Sequence, residues 1–203
     1  MKTIYLLPIV LLFTACNSDD SVDPASLLPP ITMTGENTFG CLIDGKFFRP
    51  RDGRSTINSD NKGLTTLRSE EDNWEIHAYD RKSNRTASLI IHIENLFENP
   101  DGDTGFYPIR QANGLRELDG PNHTYIYGRI WSEAFNSYQL YLSKDNSGSI
   151  NITKLQRSPG EFSIHAGTFQ AVLYNSQSET DSLIIDLGRF DLDSISLPST
   201  PFN

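Results

Sequence analysis

Oxygen-bearing side chains crowd the stretch Glu98-Asn99-Pro100-Asp101-Gly102-Asp103, and carboxylates and amides are the ligands that a hard cation such as calcium takes. Asp101 and Asp103 are the candidate ligands, but the stretch lacks the alternating ligand order and the distal bidentate Glu of a standard calcium loop. Asn, Pro, Gly and Asp also build turns, so a turn without metal is the expectation. The four histidines, His77, His92, His123 and His165, are scattered, with no pair at the spacing of a local zinc site. His77 and His92 fall on the polar-facing sides of strand-like segments and read as exposed, although strand pairing could make them neighbours.

Covalent catalysis needs a nucleophile beside a base. The chain carries no Gly-x-Ser-x-Gly, no His-Glu-x-x-His and no Gly-rich phosphate loop ahead of a helix. Carboxylates are plentiful, but glycoside hydrolysis depends on the distance between two of them, which a sequence does not set. No catalytic residue is assigned. Rings are densest at Tyr125, Tyr127, Trp131, Tyr138 and Tyr141, with Phe135 among them. On strands, alternate aromatics present a platform for a sugar ring or a partner's side chain while the opposite face packs inward. They serve equally as core and cross-strand pairs, and both readings stand. Arg49, Arg51 and Arg54 in RPRDGR would grip a sulfated or phosphorylated glycan if they converged, and otherwise form a solvated loop.

The elements that must position these groups read as strands. In TFGCLIDGKFF, residues 38 to 48, two apolar runs flank Asp44-Gly45, a pair that tolerates the positive φ of a tight hairpin turn. Pro50, which has no N–H to donate, closes the second run. Trp74, Ile76 and Ala78 alternate on one face, as do Leu89, Ile91 and Ile93, and then Ile126 and Ile130. Tyr138, Leu140 and Leu142 alternate in the next run, and KDNSG then predicts a second hairpin turn into SINIT. Two longer segments, EFSIHAGTFQAVLYN and SLIIDLGRFDLDSI, are broken near Gly167 and Gly188, positions suited to bulges. No apolar run has helical spacing. The fold class expected is all-β, an antiparallel sandwich or partly closed barrel.

Ahead of these strands lies a different kind of sequence. Lys2, an apolar run from Ile4 to Phe13 and the small residues Thr14 and Ala15 read as an export signal at residues 1–15, too short to span a bilayer. The box Phe13-Thr14-Ala15-Cys16 resembles a bacterial lipoprotein signal, with Phe where Leu is usual. That resemblance implies cleavage before Cys16 and acylation of its sulfur, a covalent lipid that holds the domain at a membrane. Asn17-Ser18-Asp19-Asp20 is similar to the serine-and-acid signal by which lipoproteins of Bacteroidetes-type bacteria reach the outer face of the outer membrane, so Ser18, Asp19 and Asp20 are the implied export signal. A polar tether would look the same. Residues 16–37, which hold Pro24, Pro29, Pro30, several acids and hydroxyls and no aromatic residue, read as a flexible tether, with Leu27-Leu28 and Ile31-Met33 able to dock as an arm. A single β domain follows at 38–203.

With 26 acidic against 17 basic side chains, the chain opposes any general affinity for nucleic acid. Once Cys16 is acylated, Cys41 has no cysteine to pair with and reads as a small core residue. The opening TGENTFGCLIDGKFFRP, with GFYPI, GTFQAVLYN and LIIDLGRFDL further on, resembles an uncharacterised outer-membrane lipoprotein family of the same bacteria, with a TGxNTFGC-type opening. The resemblance implies a β domain on a lipid anchor and supplies no catalytic residue. The expected role is non-catalytic binding of a glycan or protein at the cell surface, with a surface hydrolase of carbohydrate or peptide as the competing class. A deep cleft with two converging carboxylates would favour hydrolysis, and a flat aromatic face would favour binding.

Overall fold

Asp44 and Gly45 take φ of 48° and 71°, and this turn folds β1 (Thr38–Ile43) back on β2 (Lys46–Phe48). A computed structural model describes residues 22–98, 104–158 and 161–203, and within them the chain continues as β3 (Leu64–Arg68), β4 (Trp74–Asp80), β5 (Ala87–Ile93), β6 (Gly105–Pro108) and β7 (Tyr125–Ser132). Three long strands close the sequence: β8 (Ser137–Ser158), β9 (Glu161–Asn175) and β10 (Ser178–Asp193). All pair antiparallel in one sheet of order β2-β1-β10-β9-β8-β7-β5-β4-β3, with β6 added to the far half of β8. The sheet curls into a half-barrel, the partly closed form of the all-β expectation. Only two short 3-10 turns, Pro24–Leu27 and Leu197–Ser199, interrupt the strands among the described residues.

Alternation decides which side chains face the hollow. Trp74, Ile76 and Ala78 of β4, Leu89, Ile91 and Ile93 of β5, and Phe39, Cys41 and Ile43 of β1 all enter one buried cluster. Trp74 reaches across to stack on His165 of β9 at 4.6 Å and packs against Phe190 of β10 at 5.9 Å, so the interior is filled from both walls. Cys41 is fully buried and unpaired, and burial pushes its thiol well up. The two sheet ends approach where the chain leaving β2 runs beside β4: Arg51 N–H donates to Tyr79 O at 2.8 Å and its carbonyl accepts from Arg81 N at 3.2 Å. Gly63 lies against this segment, and a Cβ there would stand 2.6 Å from the Arg51 carbonyl carbon.

Two expectations change in detail. KDNSG is no hairpin turn: β8 runs straight through it, and the extra residues leave the ladder as a bulge between Ser143 and Gly148, opposite Leu173 and Ala171. The segment before β1 is bound to the domain. Asp191 of β10, 1% exposed, accepts from the Thr32 hydroxyl at 2.6 Å and from the N–H groups of Thr34, Gly35 and Glu36 at 3.0, 2.8 and 3.3 Å. Leu28 and Pro29 then lie on Gly40 of β1, where a Cβ would meet Pro29 at 2.8 Å. Residues 22–37 are thus an arm on the outer face of β1 and β10, as the sequence allowed, but it is held through Leu28, Pro29 and the groups on Asp191, while Leu27, Ile31 and Met33 stay exposed.

Candidate functional site

The ends of β1, β4 and β7 and the starts of β2, β5 and β10 meet at one rim of the half-barrel, where with Tyr141 of β8 they leave a cleft of about 540 Å³. Ile43, Phe48, Ala87, Ile130 and Leu183 give it an apolar floor, and Asp44, Lys46, Arg85 and Glu133 a charged edge. Its walls are two engaged carboxylates. Asp80, at the end of β4, is held bidentately by Arg51, Nε to Oδ1 at 2.8 Å and Nη2 to Oδ2 at 2.6 Å, and also takes the Ser83 hydroxyl at 2.5 Å. Burial raises such a carboxyl, but these donors outweigh it and hold Asp80 at about 2.

Asp181, opposite, gathers three donors on one oxygen: Ser132 Oγ at 2.8 Å, Tyr141 OH at 2.8 Å and Asn175 Nδ2 at 2.7 Å, all on Oδ2. Its carboxyl is lowered, because these hydrogen bonds exceed the penalty of burial. Oδ1 accepts nothing among the described residues. Burial, together with the Asp181 carboxylate, pushes Tyr141 up to about 12, so the phenol stays a donor. At the mouth Arg85 spans Trp131 and Glu133: its guanidinium sits 4.7 Å over the indole and pairs with the Glu133 carboxylate.

The aromatic group of the sequence is divided between two faces. Tyr141 points into the cleft wall. Trp131 and Tyr138 face outward at its mouth, edge to face at 5.3 Å. Tyr125 and Tyr127 lie further along the outer face, buried with Ile90 and Ala112 beneath the segment that joins β6 to β7. The five rings therefore form no single flat platform, although three of them gather at the cleft end. Arg51 is committed to Asp80, which removes it from the RPRDGR cluster, and Arg49 borders a different depression from Arg54. Asp101 and Asp103, and likewise Cys16, Ser18, Asp19 and Asp20, lie outside the described residues. Among the described residues no group of three or more His, Cys, Asp or Glu is placed to hold a metal ion.

No family model, curated protein or solved structure matches the chain. Function must therefore be argued from the side chains themselves.

The histidines expected to be exposed are buried. Glu75 of β4, whose alternation places it outward, is covered by the joining segment and lies between His77 Nε2 at 2.6 Å and His92 Nδ1 at 3.1 Å. Burial alone would raise this carboxyl, but the hydrogen bonds and charges of the two histidines outweigh it and hold Glu75 at about 2. His92 stacks flat on Tyr125 at 4.5 Å. The period-two pattern assigned these residues to the correct face and said nothing of the cover, because the segment from 109 to 124 has no regular pattern to announce that it folds back. Asp181 was missed too. Its three partners come from β7, β8 and β9, and no local spacing links them.

Proposed function

We propose that this chain is an outer-membrane lipoprotein, anchored through lipid on Cys16 and displayed by the Ser18-Asp19-Asp20 signal, whose β domain binds a glycan in the cleft without turning it over. The cleft carries the reading. It offers what a sugar needs: an apolar floor, an aromatic edge at Trp131, and in Asp181 Oδ1 an ionised acceptor whose neighbour oxygen is fixed by three donors. A cleft with carboxylates in its walls also satisfies half of the condition for hydrolysis. The other half concerns protonation, because a glycosidase needs one carboxyl held up as a general acid near neutral pH. Asp80 at about 2 and Asp181, likewise lowered, are both held as carboxylates, which suits hydrogen-bond acceptance.

Residues 22–203 applied to a glycan array test this. Wild-type protein is expected to capture a defined subset, and Asp181→Asn and Trp131→Ala each to weaken capture by about tenfold or more, the scale of one hydrogen bond to a charged group. Capture of nothing, or capture unchanged in both variants, would sink the proposal. Release of new reducing ends that disappears in Asp181→Asn would replace binding with hydrolysis.

A further inference from the structure

Outside the cleft, on the convex face, the loop before β3 and the end of β4 enclose a smaller depression of about 360 Å³. His77 and Tyr79 lie at its floor, and Lys62, Arg81 and Arg116 line it. The charge is anomalous for this protein. In a chain of net charge −9, three cations border one small volume with a single lining carboxylate, Asp60. None of the three makes an ion pair among the described residues, a property they share with Lys46, Arg49, Arg54, Lys82 and Arg129; what sets them apart is that they line one depression together. Gathered like charges repel, and a bound anion is the partner that would offset this.

The two guanidinium groups are also held in place. Arg81 stacks 4.3 Å over the Tyr79 ring and donates Nε to the Lys62 carbonyl at 3.1 Å. Arg116 Nη2 donates to the Tyr79 hydroxyl, and that hydroxyl in turn stands 3.4 Å from His77 Nδ1. Beneath them His77 is fixed by Glu75 through Nε2. One tyrosine thus positions both arginines, through its ring face and through its oxygen. Both terminal nitrogens of Arg81 keep N–H donors with no acceptor among the described residues, while Arg116 also faces the Tyr127 hydroxyl. The fixed Arg81 fork matches the paired oxygens of a tetrahedral oxyanion, and Arg116 and Lys62 add positive charge beside it.

We infer that this depression is an anion site for a phosphate or sulfate monoester, with Arg81, Arg116 and Lys62 as its ligands and Tyr79 as the residue that positions them. It is separate from the cleft and independent of the glycan proposal. Such an ester occurs on a modified glycan or as a lipid headgroup, and the shared chemistry is the same.

Titration of residues 22–203 with inorganic phosphate, inorganic sulfate and acetate, at about 0.15 M salt so that diffuse attraction is screened, is the direct test. Saturable binding of phosphate or sulfate, tighter than acetate and accompanied by a shift of the His77 ring resonances, is expected. Arg81→Gln and Lys62→Gln are each expected to weaken it by about tenfold, the scale of one charge-assisted contact, while Arg49→Gln and Asp181→Asn leave it unchanged. Lys62 makes no side-chain contact on which the fold depends, so its variant remains informative if an arginine variant loses stability. A sugar phosphate and vesicles containing phosphatidic acid, both phosphate monoesters, compared next, assign the source as soluble ester or membrane. Absence of saturable oxyanion binding, or wild-type affinity in both Arg81→Gln and Lys62→Gln, overturns the inference.

Discussion

A buried imidazole links folding to protonation, and His165 is the clearest case. Its ring is stacked on Trp74 and set edge-on to Phe97, its Nδ1 meets the Ser194 hydroxyl at 3.3 Å, and Nε2 has no partner. Burial pushes it down from the ordinary 6.5 to about 4. Between those two values the unfolded chain binds a proton that the folded chain refuses. The stabilising contribution is therefore whole above pH 6.5 and declines as pH falls toward 4, by roughly 3 kcal/mol in all. Glu75 and Asp80, both held at about 2, contribute with the same sign in a lower window: their share is present above the ordinary carboxyl range and is lost as pH falls from there toward 2. The prediction is that His165→Leu flattens the dependence of Tm on pH between 6.5 and 4 and leaves the acid limb below 4 intact; a wild-type slope in the variant would refute it. The sequence concealed this residue for a physical reason. In FSIHAGTF, alternation invites Ile164 and Ala166 to be the core face, whereas here both faces are covered, the inner by Trp74 and the outer by the arm at Gly35.

At the scale of elements, the arm of residues 22–37 depends on one side chain. Asp191 satisfies three backbone N–H groups and a hydroxyl, so its carboxyl is held down by donors that exceed the cost of burial. Asp191→Ala leaves those N–H groups without their acceptor and is expected to cost about 2–4 kcal/mol in chemical denaturation. Hydrogen exchange at Thr34, Gly35 and Glu36 is expected to rise far more than in β4 or β5, because the arm opens locally. Exchange rising equally everywhere would show that the arm and barrel unfold as one. Elements with a clean period of two were legible from residue types alone: β4, β5, β7 and the Asp44-Gly45 hairpin stand where alternation and turn chemistry put them. The arm was legible only as an alternative, since its short apolar patches carry no period. KDNSG misled because turn-forming residues serve a bulge as readily as a hairpin, and the choice between them is made by β9, which continues to pair on both sides of it.

In the whole molecule β1 pairs with β10 and so closes nearly the entire chain into one loop, Thr38 opposite Asp191 and Ile43 opposite Ile185. Such a closure is specified by complementary edges far apart in the chain, and its entropic cost grows only slowly with loop length, so no local signal marks it. Strand order was for that reason beyond the sequence, while the fold class was not. The docked arm also alters how an anchor at Cys16 would act. A free tether of some twenty residues would lift the domain by as much as roughly 60 Å. With Val22 onward in the arm, six peptide steps separate it from Cys16, which extend to about 20 Å at most. Lipid on Cys16 would therefore hold the domain close to the membrane, where a short spacer leaves little freedom of orientation. Cys16→Ala is expected to move the protein from the membrane to the soluble fraction and abolish labelling by a fatty-acid analogue, and persistent labelling would exclude Cys16 as the acylated residue. Asp19→Ala with Asp20→Ala is expected to keep the label but reduce cleavage by protease added to intact cells. Unchanged cleavage would remove these acids from the export signal, whereas loss of both label and cleavage would place them in the acylation step.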